Sequence, residues 1–197
     1  IGSGIAGLCA AIEAARTGAT VTVASAGKTM SGSSFFPGTW GLGLIGPVNE
    51  DDEQDLIDTI LAVGGGVADP ELVQAFVHGI PQAIDWLEQD LGVELQRPQS
   101  AKSAQQKQFI PCFDHKTRMW RGLTRKPLED ALTTWIESLG IRLLPRHELI
   151  DLVEDTNGRI TGTVLYDLTE NRIVPFAAEA TVIAAGGTGG LFERSLT

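Results

Sequence analysis

The chain has 197 residues, a length that fits one ordinary domain with a sizeable hydrophobic core. Acidic residues outnumber basic ones, 25 to 15, which gives a formal net charge of -10 and excludes a dedicated nucleic-acid-binding protein. No stretch approaches the roughly 18 consecutive apolar residues of a membrane-spanning helix. Glycine is frequent, with 23 residues, and this indicates tight approaches of the backbone.

The cysteines and the first residue bear on where the protein resides. Cys9 and Cys112 are too few for a disulfide framework and lack zinc-ligand spacing, so we expect a reduced, cytoplasmic setting. Ile1 is not methionine, and a glycine-rich turn follows it with no strand ahead. We therefore expect the N-terminal portion of a longer chain whose first strand is missing. A periplasmic location stays open, because the missing residues would carry any targeting sequence.

The opening residues, Gly2-Ser3-Gly4-Ile5-Ala6-Gly7, form a segment that we call the phosphate turn. Apolar residues at positions 5, 8, 9, 12 and 15 keep helical spacing, and Gly18 provides a left-handed stop. Gly2 permits a tight turn, Gly4 lets a pyrophosphate approach the backbone, and Gly7 allows close packing of the helix on a sheet. Free amides at the helix start would then face two phosphates. The alternative is an ordinary tight turn.

Residues 19–24 are rich in β-branched side chains and predict a strand of a buried sheet. Helix, glycine stop and strand in this order favour dinucleotide binding over a plain turn. An acidic residue about 20 positions on usually bonds the adenosine ribose, and Ser25 stands in its place. A serine hydroxyl can bond a ribose, although without the help of a charge.

Glycines and small hydroxyl residues follow this strand over residues 26–46. Within them, Ser31-Gly32-Ser33-Ser34, which we call the serine loop, offers backbone and side-chain donors. These donors would suit further phosphate or the edge of a flavin ring. A flexible loop without a ligand is an equal alternative.

Two further helices are predicted. Asp69 as N-cap and Pro70 at the first helical position mark the start of one helix. The residues that we expect on its inner face are Leu72, Val73, Phe76, Val77 and Ile80. A second helix runs from Pro127 towards Gly140, with Trp135 and Ile136 on its apolar side and Trp135 in the core.

Strands dominate the last third of the chain. Residues 141–144 predict a short strand, and residues 149–154 and 160–166 flank an Asn157-Gly158 pair that is typical of a hairpin. Residues 172–176 add a third strand, which completes a meander. His78 and His147 are expected to be incidental surface residues, and no Ser/His/Asp or Cys/His arrangement is discernible.

Residues 180–185 predict a buried strand that feeds Gly186 and Gly187. This places backbone at the carboxyl end of a parallel strand, where ligands of open α/β sheets bind. The alternative is an unremarkable strand exit. Because the same chain opens with the phosphate turn, we favour contact with a cofactor.

Four segments resemble, in order and spacing, the flavoprotein subunit family of fumarate reductase, succinate dehydrogenase and L-aspartate oxidase. They are the phosphate turn, the serine loop, the run from Gly64 to Glu71, and Ala184–Gly187. The resemblance implies an α/β fold: a Rossmann-like FAD-binding domain over residues 1–197, with a parallel sheet, flanking helices and an added antiparallel β-meander. The capping domain of the family would lie downstream of Thr197. Ser25 in place of the acid is similar to the aspartate oxidase branch.

The resemblance also implies how FAD is held. Family members with covalent flavin link it through a histidine whose matching position is Ser33, so we expect non-covalent FAD. Backbone groups of Leu149 or Ile150 are placed against adenine. His115 and Arg118 match a segment near the flavin, with a surface or structural role as the alternative. The cofactor-binding residues expected in all are Gly2, Ser3, Gly4, Ile5, Ala6, Gly7, Ser25, Gly32, Ser33, Ser34, Leu149, Ile150, Ala185, Gly186 and Gly187. Thr39-Trp40 replaces a glycine pair common in the family, so loop geometry beside the flavin is expected to differ.

By this resemblance the protein is an FAD-dependent oxidoreductase that transfers a hydride between flavin N5 and a small dicarboxylate-like substrate. The catalytic residues of the family belong to segments beyond Thr197, so none is assigned, and no metal is expected. The resemblance leaves room for a partner protein that exchanges electrons with the flavin. Binding of a nucleic acid is not expected, and neither is a membrane span. Two alternatives remain: an FAD-binding electron-transfer subunit without substrate chemistry of its own, and an NAD(P)-binding Rossmann enzyme.

Overall fold

A computed structural model of the chain describes residues 1–36, 42–99, 116, 118–187 and 193. In chain order the elements are α1 (Ile5–Arg16), β1 (Thr22–Ser25), β2 (Leu42–Gly46), α2 (Glu50–Val63), α3 (Pro70–Asp85), β3 (Met119–Leu123), α4 (Arg125–Ser138), β4 (Arg142–Pro145), β5 (His147–Glu154), β6 (Ile160–Asp167) and β7 (Arg172–Ala177). They fall into two compact units, one of residues 1–40 and 132–197 and the other of residues 41–131. Helices combined with parallel and antiparallel strands confirm the predicted α/β class.

A parallel sheet organises the first unit. β1 pairs in parallel with β4, so that Val23 lies beside Leu143. On the other side of β1, the Gly2 amide donates a hydrogen bond of 2.8 Å to the Ala24 carbonyl. The predicted strands at residues 19–24 and 141–144 are therefore neighbours, and the phosphate turn begins beside them.

Residues 182–184 extend this sheet through Ile1. The Ile1 amino group donates to the Val182 carbonyl at 2.7 Å, and the Ile1 carbonyl accepts from the Ala184 amide at 2.7 Å. The prediction of a buried strand here is wrong, because the segment is not a regular strand and the side chains of Val182 and Ile183 are exposed.

Helix α1 forms as predicted and packs on the sheet. Leu8, Ala11 and Ile12 are buried on one face of the helix. Ala11 and Ile12 follow Leu8 by three and four residues, which is about one turn of a helix with 3.6 residues per turn. The helix contacts β1. It ends at Arg16, and Gly18 follows with a φ of 94°, the left-handed conformation expected of the stop.

The three-stranded meander is also confirmed. β5, β6 and β7 form an antiparallel sheet in chain order, and β5 contacts β1. The hairpin between β5 and β6 closes where the Asn-Gly pair predicts it, with the Gly158 amide donating to the Asp155 carbonyl at 3.0 Å. Leu165 on β6 points inward and is almost completely buried.

The second unit joins two strands to two helices. β2 pairs antiparallel with β3, and α2 packs against α3. Helix α3 begins where predicted, with the Asp69 carboxylate accepting from the amides of Glu71 and Leu72 at 2.9 and 3.2 Å. Pro70 stands in its first turn, where no amide donor is needed.

The predicted inner face of α3 is partly wrong. Its buried residues are Val73, Val77, Ile80 and Ile84. Leu72 and Phe76, which we expected on the same face, are 69% and 61% exposed. Each precedes a buried residue by one position, which on a helix turns the side chain by roughly 100° away from the core stripe.

Helix α4 starts at Arg125, ahead of the predicted Pro127, since proline is tolerated in a first turn. Ile136 is buried as expected. Trp135 is only half-buried rather than part of the core, because its ring faces the guanidinium of Arg16, whose central carbon lies 5.4 Å from the ring centroid. This contact is a cation–π interaction between α4 and α1.

Candidate functional site

Two of the three glycines in the phosphate turn are enclosed by protein. Gly2 has a φ of 106°, and a Cβ there would lie 2.1 Å from the carbonyl oxygen of Ala184. A Cβ on Gly7 would lie 2.0 Å from the carbonyl oxygen of Gly2. Neither distance is physically accessible to a side chain. The turn, helix α1 and the segment ending at Ala184 therefore meet through backbone atoms, which agrees with the packing roles predicted for these glycines.

Gly4 has no backbone atom as close to its side-chain position as Gly2 and Gly7 have, among the described residues. It is the N-cap of α1, with a φ of -72° and a ψ of 179°, and a Cβ there would have the Ser31 carbonyl oxygen at 4.0 Å as its nearest neighbour. No side chain caps α1 and its first turn holds no acidic residue, among the residues that the structure describes. The amides of Ile5, Ala6 and Gly7 therefore form a helix end without a side-chain cap. Such an end carries positive partial charge and binds anions.

Ser3 and Ser25 connect the phosphate turn to the end of β1. Their side chains are 4% and 8% exposed, and their Oγ atoms lie 2.9 Å apart. Ser3 Oγ also lies 3.3 Å from the carbonyl oxygen of Lys28. Ser25 closes β1 at its carboxyl end, which is the position of the ribose-binding acid in dinucleotide folds. The structure therefore brings the predicted ribose residue into hydrogen-bond contact with the predicted phosphate turn.

The serine loop lies beside the same turn. Ser31 Oγ donates to the Lys28 carbonyl oxygen at 2.5 Å, and the carbonyl oxygen of Ser31 faces Gly4. The backbone of the serine loop at Ser31 is thus close to Gly4. This closeness could not be read from the sequence, in which Gly4 and Ser31 are far apart.

A short 3₁₀ turn over Ser33–Phe35 shapes the end of the loop. Gly32 precedes it with a φ of 99° and open space where a side chain would stand. Phe35 is buried and anchors the turn, whereas Ser33 is exposed and Ser34 is half-buried. Ser33 is therefore accessible, as a residue that meets a ligand must be.

The exit segment, residues 184–187, borders the phosphate turn through the contact between Ala184 and Gly2. Ala185, Gly186 and Gly187 are exposed, and Gly186 has a φ of 87°. Cβ atoms on Gly186 and Gly187 would meet no atom within 4 Å. The predicted cofactor residues of this segment therefore lie beside the phosphate turn with space around them.

Leu149 and Ile150 belong to β5, on the strand that contacts β1. Leu149 pairs with Leu165 and Asp151 pairs with Val164, so Ile150 falls in a β-bulge without a partner in the register. The adenine contact predicted for Leu149 or Ile150 stays a prediction.

His147 is not the incidental surface residue that we expected. Its side chain is 15% exposed, its Nδ1 donates to the Pro145 carbonyl at 2.9 Å, and its Nε2 lies 3.7 Å from Oδ2 of Asp167. The two residues are opposite each other in the register of β5 and β6, which no spacing in the sequence reveals. The pKa of Asp167 is lowered, first by the hydrogen bond from the Glu170 amide and also by the nearby imidazole. His78 is exposed, as predicted.

Arg118 belongs to an ion-pair cluster that the sequence analysis missed. It is fully buried, its guanidinium pairs with Asp52, and its Nη2 lies 2.8 Å from Oδ2 of Asp55. Lys116 Nζ lies 2.5 Å from the other oxygen of Asp55. Hydrogen bonds from Lys116 and then Arg118 lower the pKa of Asp55. Both carboxylates lie on α2. These contacts favour a structural role for Arg118 over the contact with the flavin that the resemblance implied. The run of acidic residues at the start of α2 was the feature of the sequence that could have indicated an ion-pair cluster. His115 and Thr39-Trp40 lie outside the described residues.

Cys9 is a free thiol on α1. Burial, and then the charge of Glu13, raise its pKa to about 11, so the thiol stays protonated and unreactive at neutral pH.

In the described part of the chain, no three His, Cys, Asp or Glu side chains are grouped to hold a metal ion. No described helix is long and apolar enough to cross a membrane.

The whole chain is similar to known proteins. A family model described as FAD binding domain matches residues 1–197. The chain is 35% identical over 211 residues to L-aspartate oxidase from Halobacterium salinarum, a match covering 99% of this chain and 38% of that protein. It is 26% identical over 193 residues to vinyl phenol reductase from Lactiplantibacillus plantarum, covering 95% of this chain and 37% of that protein.

A solved structure shares the fold. Quinol fumarate reductase from E. coli superposes with a TM-score of 0.71 at 24% sequence identity, over 97% of this chain and 32% of that one. The present chain thus spans less than half the length of each of these proteins.

Proposed function

We propose, from the premise that this chain belongs to the FAD binding domain family, that its phosphate turn holds the diphosphate of FAD without a covalent bond. FAD is the cofactor that the family match and the flavoprotein relatives assign to the chain. The observation that carries the proposal is the room for a side chain at Gly4. Gly2 and Gly7 must be glycine because protein atoms fill their side-chain positions, but among the described residues the nearest atom to a Cβ at Gly4 is the Ser31 carbonyl oxygen, at 4.0 Å. A diphosphate lying against the uncapped end of α1 would explain why position 4 is also a glycine.

The neighbouring residues fit the rest of the cofactor. Ser25, at the end of β1, suits the adenosine ribose, and the backbone of Leu149 or Ile150 on β5 suits adenine. The serine loop and residues 185–187 offer hydroxyl and backbone groups for the remaining phosphate oxygens and the flavin edge. Ser33 bears no imidazole, so a histidyl link to the flavin cannot form at that position.

For the whole protein we propose an FAD-dependent oxidoreductase. Bound FAD would supply hydride transfer at its N5 atom. This chain would supply the binding: amides at the start of α1 neutralise the diphosphate, and the β1 and β5 residues fix the adenosine end. The named activities of the relatives, an oxidase of L-aspartate and a reductase of vinyl phenol, support redox chemistry on a small molecule. The stronger similarity to L-aspartate oxidase favours a small dicarboxylate, and the other relative makes an aromatic alkene the second candidate.

The experiment is a purification of the full-length protein followed by spectroscopy and assay. We expect a yellow protein with flavin absorption bands and turnover with fumarate plus a reduced dye or with L-aspartate plus oxygen. Turnover with vinyl phenol alone would favour the second candidate. Bound flavin with silence in every assay would indicate an electron-transfer subunit, and a colourless protein that binds NAD(P) instead of added FAD would refute the proposal.

A further inference from the structure

The turn that leads from β1 into the serine loop carries an inference about how that loop is held. Residues 28–31 form the turn, and Met30 within it has a φ of 54°. Residues other than glycine rarely adopt this left-handed conformation, because their Cβ crowds the following carbonyl oxygen. The turn therefore depends on contacts that hold it in place.

Two hydroxyl groups meet the carbonyl oxygen at the start of this turn. Ser31 Oγ donates to the Lys28 carbonyl oxygen at 2.5 Å, and Ser3 Oγ, from the phosphate turn, lies 3.3 Å from the same atom. A carbonyl oxygen can only accept, and its two lone pairs can serve both hydroxyls. The Lys28 carbonyl is thus tied to the serine loop and to the phosphate turn.

Gly27 leaves the room that the Ser31 hydroxyl occupies. Among the described residues, a Cβ at position 27 would have two atoms within 4 Å, Ser31 Oγ at 2.7 Å and Ser31 Cβ at 3.5 Å. Only the first distance is too short for a contact, and the φ of Gly27 lies outside the left-handed region. An added methyl group would therefore displace one group, the Ser31 hydroxyl, which escapes by rotating about χ1 and so loses its bond to Lys28.

The serine loop also borders the space proposed for the diphosphate, because the Ser31 carbonyl oxygen is the nearest described atom to a Cβ at Gly4. We propose that Ser31 is a positioning residue whose bond to Lys28 sets the serine loop for FAD, and that position 27 is glycine so that this bond can form. The inference rests on the proposed function, which gives phosphate oxygens and the flavin edge to this loop. A loop that is already held in its bound arrangement loses less freedom when the ligand arrives, and this raises affinity.

The test measures the dissociation constant of FAD for the full-length protein stripped of flavin. The variants are Ser31→Ala, Gly27→Ala and the double variant. Each single change removes the bond to Lys28, so we expect each to weaken FAD binding by about fivefold, the net effect of one ordinary hydrogen bond. The double variant should also be about fivefold weaker, rather than about 25-fold, because both changes remove the same bond.

Further variants separate positioning from a general loss of structure. Ser31→Thr keeps the hydroxyl and should bind FAD within about twofold of the wild type, and Ser31→Cys, a weak donor of similar size, replaces Ser31→Ala if that protein does not fold. Ser138→Ala removes a hydroxyl that likewise bonds the carbonyl three residues earlier, that of Trp135 at 3.0 Å. Gly79→Ala adds a methyl group with no described atom within 4 Å. These last two should bind FAD as the wild type does.

AMP provides a second readout, because it lacks the flavin and the second phosphate. Its dissociation constant should stay within about twofold of the wild-type value in Ser31→Ala and Gly27→Ala, since only the adenosine end and one phosphate are engaged. Equal weakening of AMP and FAD would indicate general damage to the site and overturn the positioning role.

The remaining outcomes separate the two proposals. Gly27→Ala that weakens FAD binding as much in the Ser31→Ala background as in the wild type would show that its methyl group acts elsewhere. Ser31→Thr that binds FAD as weakly as Ser31→Ala would show that the hydroxyl is not the acting group. Either result overturns the role of Ser31 and leaves FAD binding intact, whereas a wild-type protein that binds no FAD would overturn both proposals.

Discussion

At the scale of single residues, Gly2, Gly4 and Gly7 share one motif but meet different neighbours. Gly4→Val should abolish flavin retention, because its side chain would occupy the space proposed for the diphosphate. The fold should survive, since the nearest atom to a Cβ at Gly4 is 4.0 Å away, with a loss of about 1 kcal/mol from the poorer N-cap. Flavin content of the purified protein and urea unfolding of the apoprotein measure the two effects separately.

Gly7→Ala is the matched control. A Cβ at this position would lie 2.0 Å from the Gly2 carbonyl oxygen, so the backbone must shift whether or not flavin is present. We expect the apoprotein itself to lose about 1–3 kcal/mol of stability. Gly4→Val protein that purifies with a full complement of flavin would show that the diphosphate lies elsewhere.

At the scale of elements, the buried Arg118 fixes the residues ahead of β3 to helix α2. Arg118→Ala should lower the free energy of unfolding by about 2–3 kcal/mol at neutral pH, because a fully buried side chain is removed and the Asp52 carboxylate, 19% exposed, loses its guanidinium partner. The pKa of Asp55 is lowered in the folded state, so its stabilising contribution is complete above the unfolded pKa. It disappears as the pH falls through the folded pKa, so the difference between wild type and variant should shrink below about pH 4.

Urea titrations of both proteins at several pH values test this, and Arg97→Ala provides the comparison. Arg97 makes a similar ion pair with Glu88 at 2.7 Å, but its side chain is 53% exposed. An exposed pair of this kind contributes only about 0–1 kcal/mol. Equal losses in the two variants would mean that burial does not strengthen the Arg118 cluster.

The elements also show what the sequence can and cannot predict. Helix α1, the start of α3 at Asp69 and the Asn157-Gly158 hairpin depend on nearby residues, and all were predicted correctly. The exposed Leu72 and Phe76 were not, because apolar residues on two adjacent helix stripes do not reveal which stripe is buried. The partners of His147 and Arg118 depend on strand register and helix packing, which are set between distant parts of the chain.

The candidate site also has a part that the local sequence predicts and a part that depends on contacts between distant residues. The residues of the phosphate turn are contiguous, so their spacing alone predicted them. That Ala184 abuts Gly2, and that Ser3 reaches Ser25, follow only once the order of the strands is known. The β-bulge at Ile150 could not be predicted without the register of β5 and β6.

At the scale of the whole molecule, the mode of flavin attachment is directly testable. Acid precipitation of the full-length holoprotein should release all of its flavin into the supernatant, because Ser33 offers no linkage. Absorption spectra of the supernatant and of the redissolved pellet measure this, with a covalent flavoprotein treated in parallel as the reference. Yellow colour that stays with the washed pellet would contradict a non-covalent site.

The pairing of Ile1 with Val182 joins residues 181 positions apart, and the carbonyl that confines Gly2 belongs to Ala184. The chain must therefore have been synthesised past Ala184 before the cradle for the cofactor can close. Contacts of such long range are slow to form, since the intervening chain loses its freedom first. Nascent chains arrested before Ala184 should be unable to capture flavin, so the cofactor loads only after this part of the chain has been made.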